Sequence, residues 1–176
     1  MGQETLTLII RTIGEFYALI VLLRFLLQIS NAEFYNPKSQ AVARLTQVPV
    51  APLQKSLPRV AGRDFSALVL ALLVKLVTSG LLFVVSGRTP DPLALGVSLL
   101  SMTLDIYFYA VIASVIISWV APNSYHPAPQ LITQLTEPVF RLARKVVPPL
   151  GGLDLSPILI FLVIQVVQLQ LSRLLM

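Results

Sequence analysis

Apolar positions gather into four long stretches, Thr5 to Ile29, Phe65 to Ser86, Leu93 to Val120 and Leu155 to Leu175. Each is long enough, as a helix, to cross roughly 30 Å of hydrocarbon. The segments that follow the first and third stretches read differently. After Asn36-Pro37, which supply an N-cap and a first-turn proline, Ala41, Val42 and Leu45 alternate with Lys38, Arg44 and Gln47 at helical spacing. After His126-Pro127, residues Leu131, Ile132 and Leu135 repeat the apolar face. These patterns predict a short amphipathic helix in each connector. A separate proline-led turn is expected next, Pro49 to Leu57 and Pro138 to Val147.

The two halves are copies of one another. With a period of 90 residues and no gap, Tyr17, Val21, Tyr35, Pro37, Thr46, Lys55, Gly62, Asp64 and Ser66 recur as Tyr107, Val111, Tyr125, Pro127, Thr136, Lys145, Gly152, Asp154 and Ser156. Each copy holds two spans, so both enter the membrane in the same direction and the repeats are parallel, not inverted. The predicted fold is an all-α membrane protein: four transmembrane helices as two parallel two-helix repeats, each with a cytoplasmic amphipathic helical connector. The expected domains are residues 1–90, with spans at about 5–29 and 65–86, and residues 91–176, with spans at about 93–120 and 155–175.

Composition sharpens this reading. Hydrophobic residues make up 56% of the chain and charged residues 12%, and the mean hydropathy is +0.82, outside the range of an ordinary soluble domain. The first stretch lacks a positive n-region and a small-residue cleavage site, so it is expected to stay in the mature protein. The net charge of +5 is unevenly placed. Lys38, Arg44, Lys55, Arg59 and Arg63 fall in the first connector, and Arg141, Arg144 and Lys145 in the last. The turn between the second and third spans has only Arg88, offset by Asp91. Positive charge is retained on the cytoplasmic side, so both long connectors are expected to be cytoplasmic and both termini outside. The charge is thus a topology signal, and no direct nucleic-acid binding is expected. The connectors should lie in the headgroup layer, with Lys38, Arg44, Lys55, Arg59, Arg141, Arg144 and Lys145 facing anionic lipid or a protein partner. The alternative is a cytoplasmic hairpin packed on the bundle.

The candidate chemistry is sparse. Glu15, Lys75 and Asp105 lie inside the spans, where charge is costly. Counted from the cytoplasmic ends, the two acids sit about 20 Å deep and Lys75 about 16 Å deep, so Glu15–Lys75 or Asp105–Lys75 is a plausible buried pair. The structural reading is polar glue between helices; the functional one is a proton or cation path. Arg24, near the cytoplasmic end, can snorkel. Asp64, Ser66, Asp154 and Ser156 read as caps of the spans that follow, with Gly62 and Gly152 allowing a tight turn before them. Two aspartates without histidine make a poor metal site. The lone histidine, His126, cannot build a bis-histidine haem site. Trp119 and Tyr125 fit an aromatic belt. With no cysteine, no triad and no phosphate loop, no catalytic residue, cofactor or metal is expected and the chain is not read as an enzyme.

At the twice-repeated Asn/His-Pro, Pro and Gly-x-Asp-x-Ser spacing the chain resembles the YggT (also YlmG) family of bacterial and plastid membrane proteins. The blocks that carry this are Leu22-Leu23-Arg24-Phe25-Leu26-Leu27-Gln28, Phe34-Tyr35-Asn36-Pro37, Ser118-Trp119 and Gly151-Gly152-Leu153-Asp154-Leu155-Ser156-Pro157. Ile29 stands where the first repeat commonly has tryptophan, and Ala61-Gly62 replaces a glycine pair. The resemblance implies a small bacterial inner-membrane protein without enzymatic activity. It links such proteins to osmotic or envelope stress tolerance, cell division and plastid cytochrome assembly.

Three functions therefore stand as expectations. The first is a scaffold or assembly factor whose basic connectors bind anionic lipid and membrane or cell-division proteins. The second is a potassium or proton transporter or channel component using Glu15, Lys75 and Asp105, which would need a homo-oligomer to enclose a pore. The third, on resemblance alone, is a cytochrome assembly factor.

Overall fold

The computed structural model describes residues 2–32, 36–60, 62–87, 89–121, 126–149 and 154–175. It contains α1 (Gly2–Ile29), α2 (Pro37–Ser56), α3 (Ser66–Ser86), α4 (Pro92–Val120), α5 (Pro127–Val146) and α6 (Ser156–Arg173). Among the described residues there is no strand, only an isolated bridge between Val60 and Arg63. The helices α1, α3, α4 and α6 are long and apolar enough to span a membrane. At most 22% of the apolar window of any of them is buried inside the protein. Much of the rest is exposed or partly exposed apolar surface, and lipid is its natural solvent. This is a multi-pass, all-helical membrane protein.

The helix ends follow local chemistry. The α1 helix stops where Asn31 adopts φ of 52°, letting the Ala32 amide reach back to the Leu27 carbonyl at 3.0 Å. Gly87, at φ 68°, closes α3 in the same left-handed way, with its amide on the Phe83 carbonyl at 2.8 Å. Asp91 accepts a hydrogen bond from the Leu93 amide at 2.9 Å and so starts α4, a role beyond offsetting charge.

One expectation needs correction. The connectors are not a short helix followed by a separate proline-led turn: α2 and α5 each run unbroken for 20 residues, with Pro49 and Pro52 inside α2 and Pro138 inside α5. An interior proline removes an amide donor and costs about 3 kcal/mol relative to alanine. Residues flanking Pro49 and Pro138 are buried, Thr46 and Val50 in α2 and Leu135, Thr136, Phe140 and Ala143 in α5, and this packing offsets the cost there; the helix passes Pro52 with no buried residue beyond it.

The chain forms two compact units. One comprises Met1–Phe25 and Val42–Met102, the other Leu26–Ala41 and Thr103–Met176. In the first, Ala18, Val21 and Leu22 of α1, Val50 of α2 and Ala67, Leu70 and Ala71 of α3 are buried, and the Phe25 and Phe65 rings meet at 5.5 Å. In the second, Val111 of α4, Phe140 and Ala143 of α5 and Ile160 and Ile164 of α6 form the core. The repeat is visible in burial: Val21 and Val111, Thr46 and Thr136, and Ser66 and Ser156 are all completely buried.

Candidate functional site

The first unit carries an ion pair inside its spans. Lys75 of α3, 4% exposed, donates to the Glu15 carboxylate of α1, whose side chain is 40% exposed. The helices are close at the neighbouring residue, where a β-carbon on Gly14 would overlap the Thr78 side chain. Thr78 cannot easily turn away, because its hydroxyl donates to the Val74 carbonyl at 2.8 Å. Asp105, in the other unit, accepts a hydrogen bond from the Gln168 amide at 2.7 Å. Of the two pairings left open by the sequence, the structure therefore forms Glu15–Lys75.

The connector helices begin on repeat-equivalent caps. Asn36 Oδ1 accepts from the Lys38 amide at 2.9 Å, and His126 Nδ1 accepts from the Ala128 amide at 3.4 Å, with Pro37 and Pro127 at the first helical positions. Asn36 also donates through Nδ2 to the Pro127 carbonyl at 2.7 Å, tying the start of α2 to the start of α5.

The caps of α3 and α6 are made by the aspartates. Asp64 accepts from the Ser66 amide at 2.8 Å and Asp154 from the Ser156 amide at 2.9 Å, while Ser66 and Ser156 are themselves the first helical residues. Gly62, at φ 75°, makes the turn closed by the two hydrogen bonds between Val60 and Arg63. Its counterpart Gly152 lies outside the described residues, as do Tyr125 and Arg88. Burial pushes the Asp64 carboxyl up, but the Ser66 hydroxyl and amide, the Gln54 amide and the Arg59 charge outweigh it and hold it below the usual carboxylate range. Burial likewise opposes ionisation of Asp154, and Ser156 and Arg144 together hold it low. Arg144 reaches Asp154 with Nε and Nη2, both at 3.0 Å. Lys38, Arg44, Lys55, Arg59, Arg141 and Lys145 are exposed; Arg144 is exposed too, but it is engaged with Asp154.

The sequence gives little warning of what Arg24 does. It turns from α1 to α2, donating through Nη1 to the Thr46 hydroxyl at 2.9 Å and the Ala43 carbonyl at 3.2 Å, and through Nη2 to Gln47 Oε1 at 2.8 Å. It fastens the connector to the span.

This arrangement of capped span, proline-started connector and aspartate cap, used twice, matches a known pattern over nearly the whole chain: the sequence profile described as CCB3/YggT covers residues 3–85 and again 93–175. The chain belongs to the CCB3/YggT family. An uncharacterized Pseudomonas aeruginosa protein is 42% identical over 167 residues, covering 92% of this chain and 85% of that protein. The uncharacterized protein YggT of Escherichia coli (strain K12) is 30% identical over 174 residues, covering 98% of this chain and 92% of that protein. The chloroplastic YlmG homolog protein 2 of Arabidopsis thaliana is 38% identical over 61 residues, which is 35% of this chain and 24% of that protein. No solved structure matches. For a CCB3/YggT protein, the geometry above offers two basic connector helices, an ion pair within the spans and paired aspartate caps. Among the described residues no three His, Asp or Glu side chains converge as metal ligands.

Proposed function

We propose that the protein is a non-enzymatic scaffold or assembly factor of the bacterial inner membrane, whose connector helices lie on the anionic cytoplasmic leaflet and present cations to membrane or cell-division proteins. The observation that carries this is the mixed exposed surface of α2 and α5. Leu45, Val48, Leu142 and Val146 are between 63% and 84% exposed, beside exposed Arg44, Lys55, Arg141 and Lys145. Such a surface suits the headgroup layer, where apolar side chains enter the acyl boundary and cations meet phosphate. Arg44 and Lys55, three helical turns apart, project from one side of α2.

The chain has no cysteine, so single-cysteine variants report position directly. A cysteine at Arg44 or Lys145 should be labelled only after the membrane is permeabilised; labelling in intact cells by an impermeant maleimide would overturn the orientation. In nanodiscs, adding phosphatidylglycerol to phosphatidylcholine should slow amide exchange in both connectors. Replacing Lys38, Arg44, Lys55, Arg59, Arg141 and Lys145 with Gln should remove that effect together with in-cell crosslinks to partners. Equal exchange in both lipids would sink the lipid-binding half of the reading.

The Glu15–Lys75 pair favours a second reading, passage of protons or potassium along the spans. Proteoliposomes holding wild-type protein or Lys75→Met, under imposed gradients, decide it: flux that the variant loses supports transport, and flux no greater than that of empty vesicles removes it.

A further inference from the structure

The two repeats differ at one place in a way that leaves a fitted space. In the first repeat the Arg24 guanidinium occupies the gap between α1 and α2, held by the Thr46 hydroxyl, the Ala43 carbonyl and Gln47 Oε1. At the 90-residue period those positions become Ser114, Thr136, Thr133 and Glu137. The acceptors survive, and the neutral amide acceptor becomes a carboxylate, but the arginine is replaced by serine. A cavity of about 340 Å³ stands there, lined by Ser114, Thr133, Thr136, Glu137, Arg144 and Asp154 among others.

The hydrogen-bond chemistry of the cavity wall is prepared for a donor. Thr46, completely buried, gives its hydroxyl proton to the Val42 carbonyl at 2.8 Å and so offers Arg24 a lone pair. Thr136, equally buried, gives its proton to the Ile132 carbonyl at 2.9 Å in the same manner and lines the cavity. Charge points the same way. In the first repeat Arg24 lies in the field of Asp64, and Asp64 in that of Arg59. In the second, among the described residues, Glu137 and Asp154 face one lining cation, Arg144, which binds Asp154 at 3.0 Å, lies over the Phe140 ring and stands 3.9 Å from Glu137. The lining side chains sum to one net negative charge, and Glu137, the residue equivalent to an Arg24 partner, has only a long 3.9 Å contact with Arg144.

We propose that this cavity binds a single guanidinium or primary ammonium group, which takes the place that Arg24 fills in the first repeat. The head donates to Thr136 Oγ1, the Thr133 carbonyl and the Glu137 carboxylate. Two sources have this chemistry, a small soluble cation and the ethanolamine head of a phospholipid.

Trp119, the chain's single tryptophan, lines the same cavity, so its fluorescence reports occupancy without a label. Purified full-length protein in phosphatidylcholine nanodiscs is titrated with n-butylguanidinium and with n-butylammonium. A saturable fluorescence change is expected, weakened at least ~10-fold in Glu137→Gln, as befits loss of a charge-assisted hydrogen bond. It should be absent in Ser114→Arg, which fills the cavity from within. Should Ser114→Arg lose its helical circular dichroism, Glu137→Gln decides alone. Repeating the titration in phosphatidylethanolamine nanodiscs separates the sources: suppressed binding identifies the lipid head as the occupant, and unchanged binding identifies a soluble cation. No saturable change with either amine in phosphatidylcholine overturns the proposal, as does a change that Glu137→Gln leaves intact. Crosslinking of a cysteine at Ser118 to an arginine-bearing partner, with neither amine binding, would assign the cavity to a protein instead and likewise overturn it.

Discussion

Lys75 is buried within its span and meets one carboxylate, Glu15, across the helix pair. Removing one member leaves the other without its partner, so Lys75→Met should lower stability by about 1.5–3 kcal/mol, the range for hydrogen bonds to charged groups. Adding Glu15→Met should recover most of that, since an apolar pair leaves neither a buried ammonium nor a carboxylate within the span without its partner. Denaturation in mixed detergent micelles would measure both, and a double variant no better than Lys75→Met would show that the pair does more than hold the helices. Next to it, Gly14→Ala puts a methyl into Thr78 and should cost about 1–3 kcal/mol by overpacking; Thr78→Ala in the same chain should return part of the loss. The ion pair was foreseeable, because charges stand out in an apolar run and depth along a helix can be counted. The Gly14–Thr78 contact was not, because close approach depends on which helix faces meet, and an apolar run hides its faces.

The connectors show how elements resist reading from sequence alone. Prolines at positions 49, 52 and 138 mark breaks in local propensity, yet the helices continue, with burial of Thr46 and Val50 around Pro49 and of Leu135, Thr136, Phe140 and Ala143 around Pro138. The starts of α3 and α6 were legible, since an aspartate two residues ahead of a buried serine is a local capping signal that needs no tertiary knowledge. Both caps should make stability depend on pH in one direction. Asp64 and Asp154 titrate below their unfolded values, so the stabilisation is complete above the unfolded carboxylate value of about 3.9 and is lost as pH falls through the folded one. Stability should therefore be flat from neutrality down to mild acid with respect to these groups and fall only in strong acid. In Asp64→Asn/Asp154→Asn that acid-side fall should shrink; an identical fall in the double variant would place the acid sensitivity elsewhere.

For the whole molecule, the apolar stretches told the number of spans and the repeated motifs the family, and matched burial at Val21 and Val111 or Thr46 and Thr136 shows that both copies use the same buried positions. What the period could not tell is how the chain is partitioned, because copying a sequence does not dictate which contacts form. Leu26–Ala41, in the middle of the first copy, belongs to the compact unit otherwise made of Thr103–Met176, and Asn36 is bonded there to Pro127. Expression of residues 1–90 and 91–176 as separate chains should therefore give two poorly accumulating products, with recovery of both on co-expression, measured by immunoblot of membranes. Equal accumulation apart and together would mean that each copy stands alone. The same placement of Leu26–Ala41 bears on the gene. A stop codon near the junction would not release a self-sufficient half, but a membrane stub in which Leu26–Ala41 has lost the rest of its compact unit, so the duplication, once made, is not undone by a single truncation.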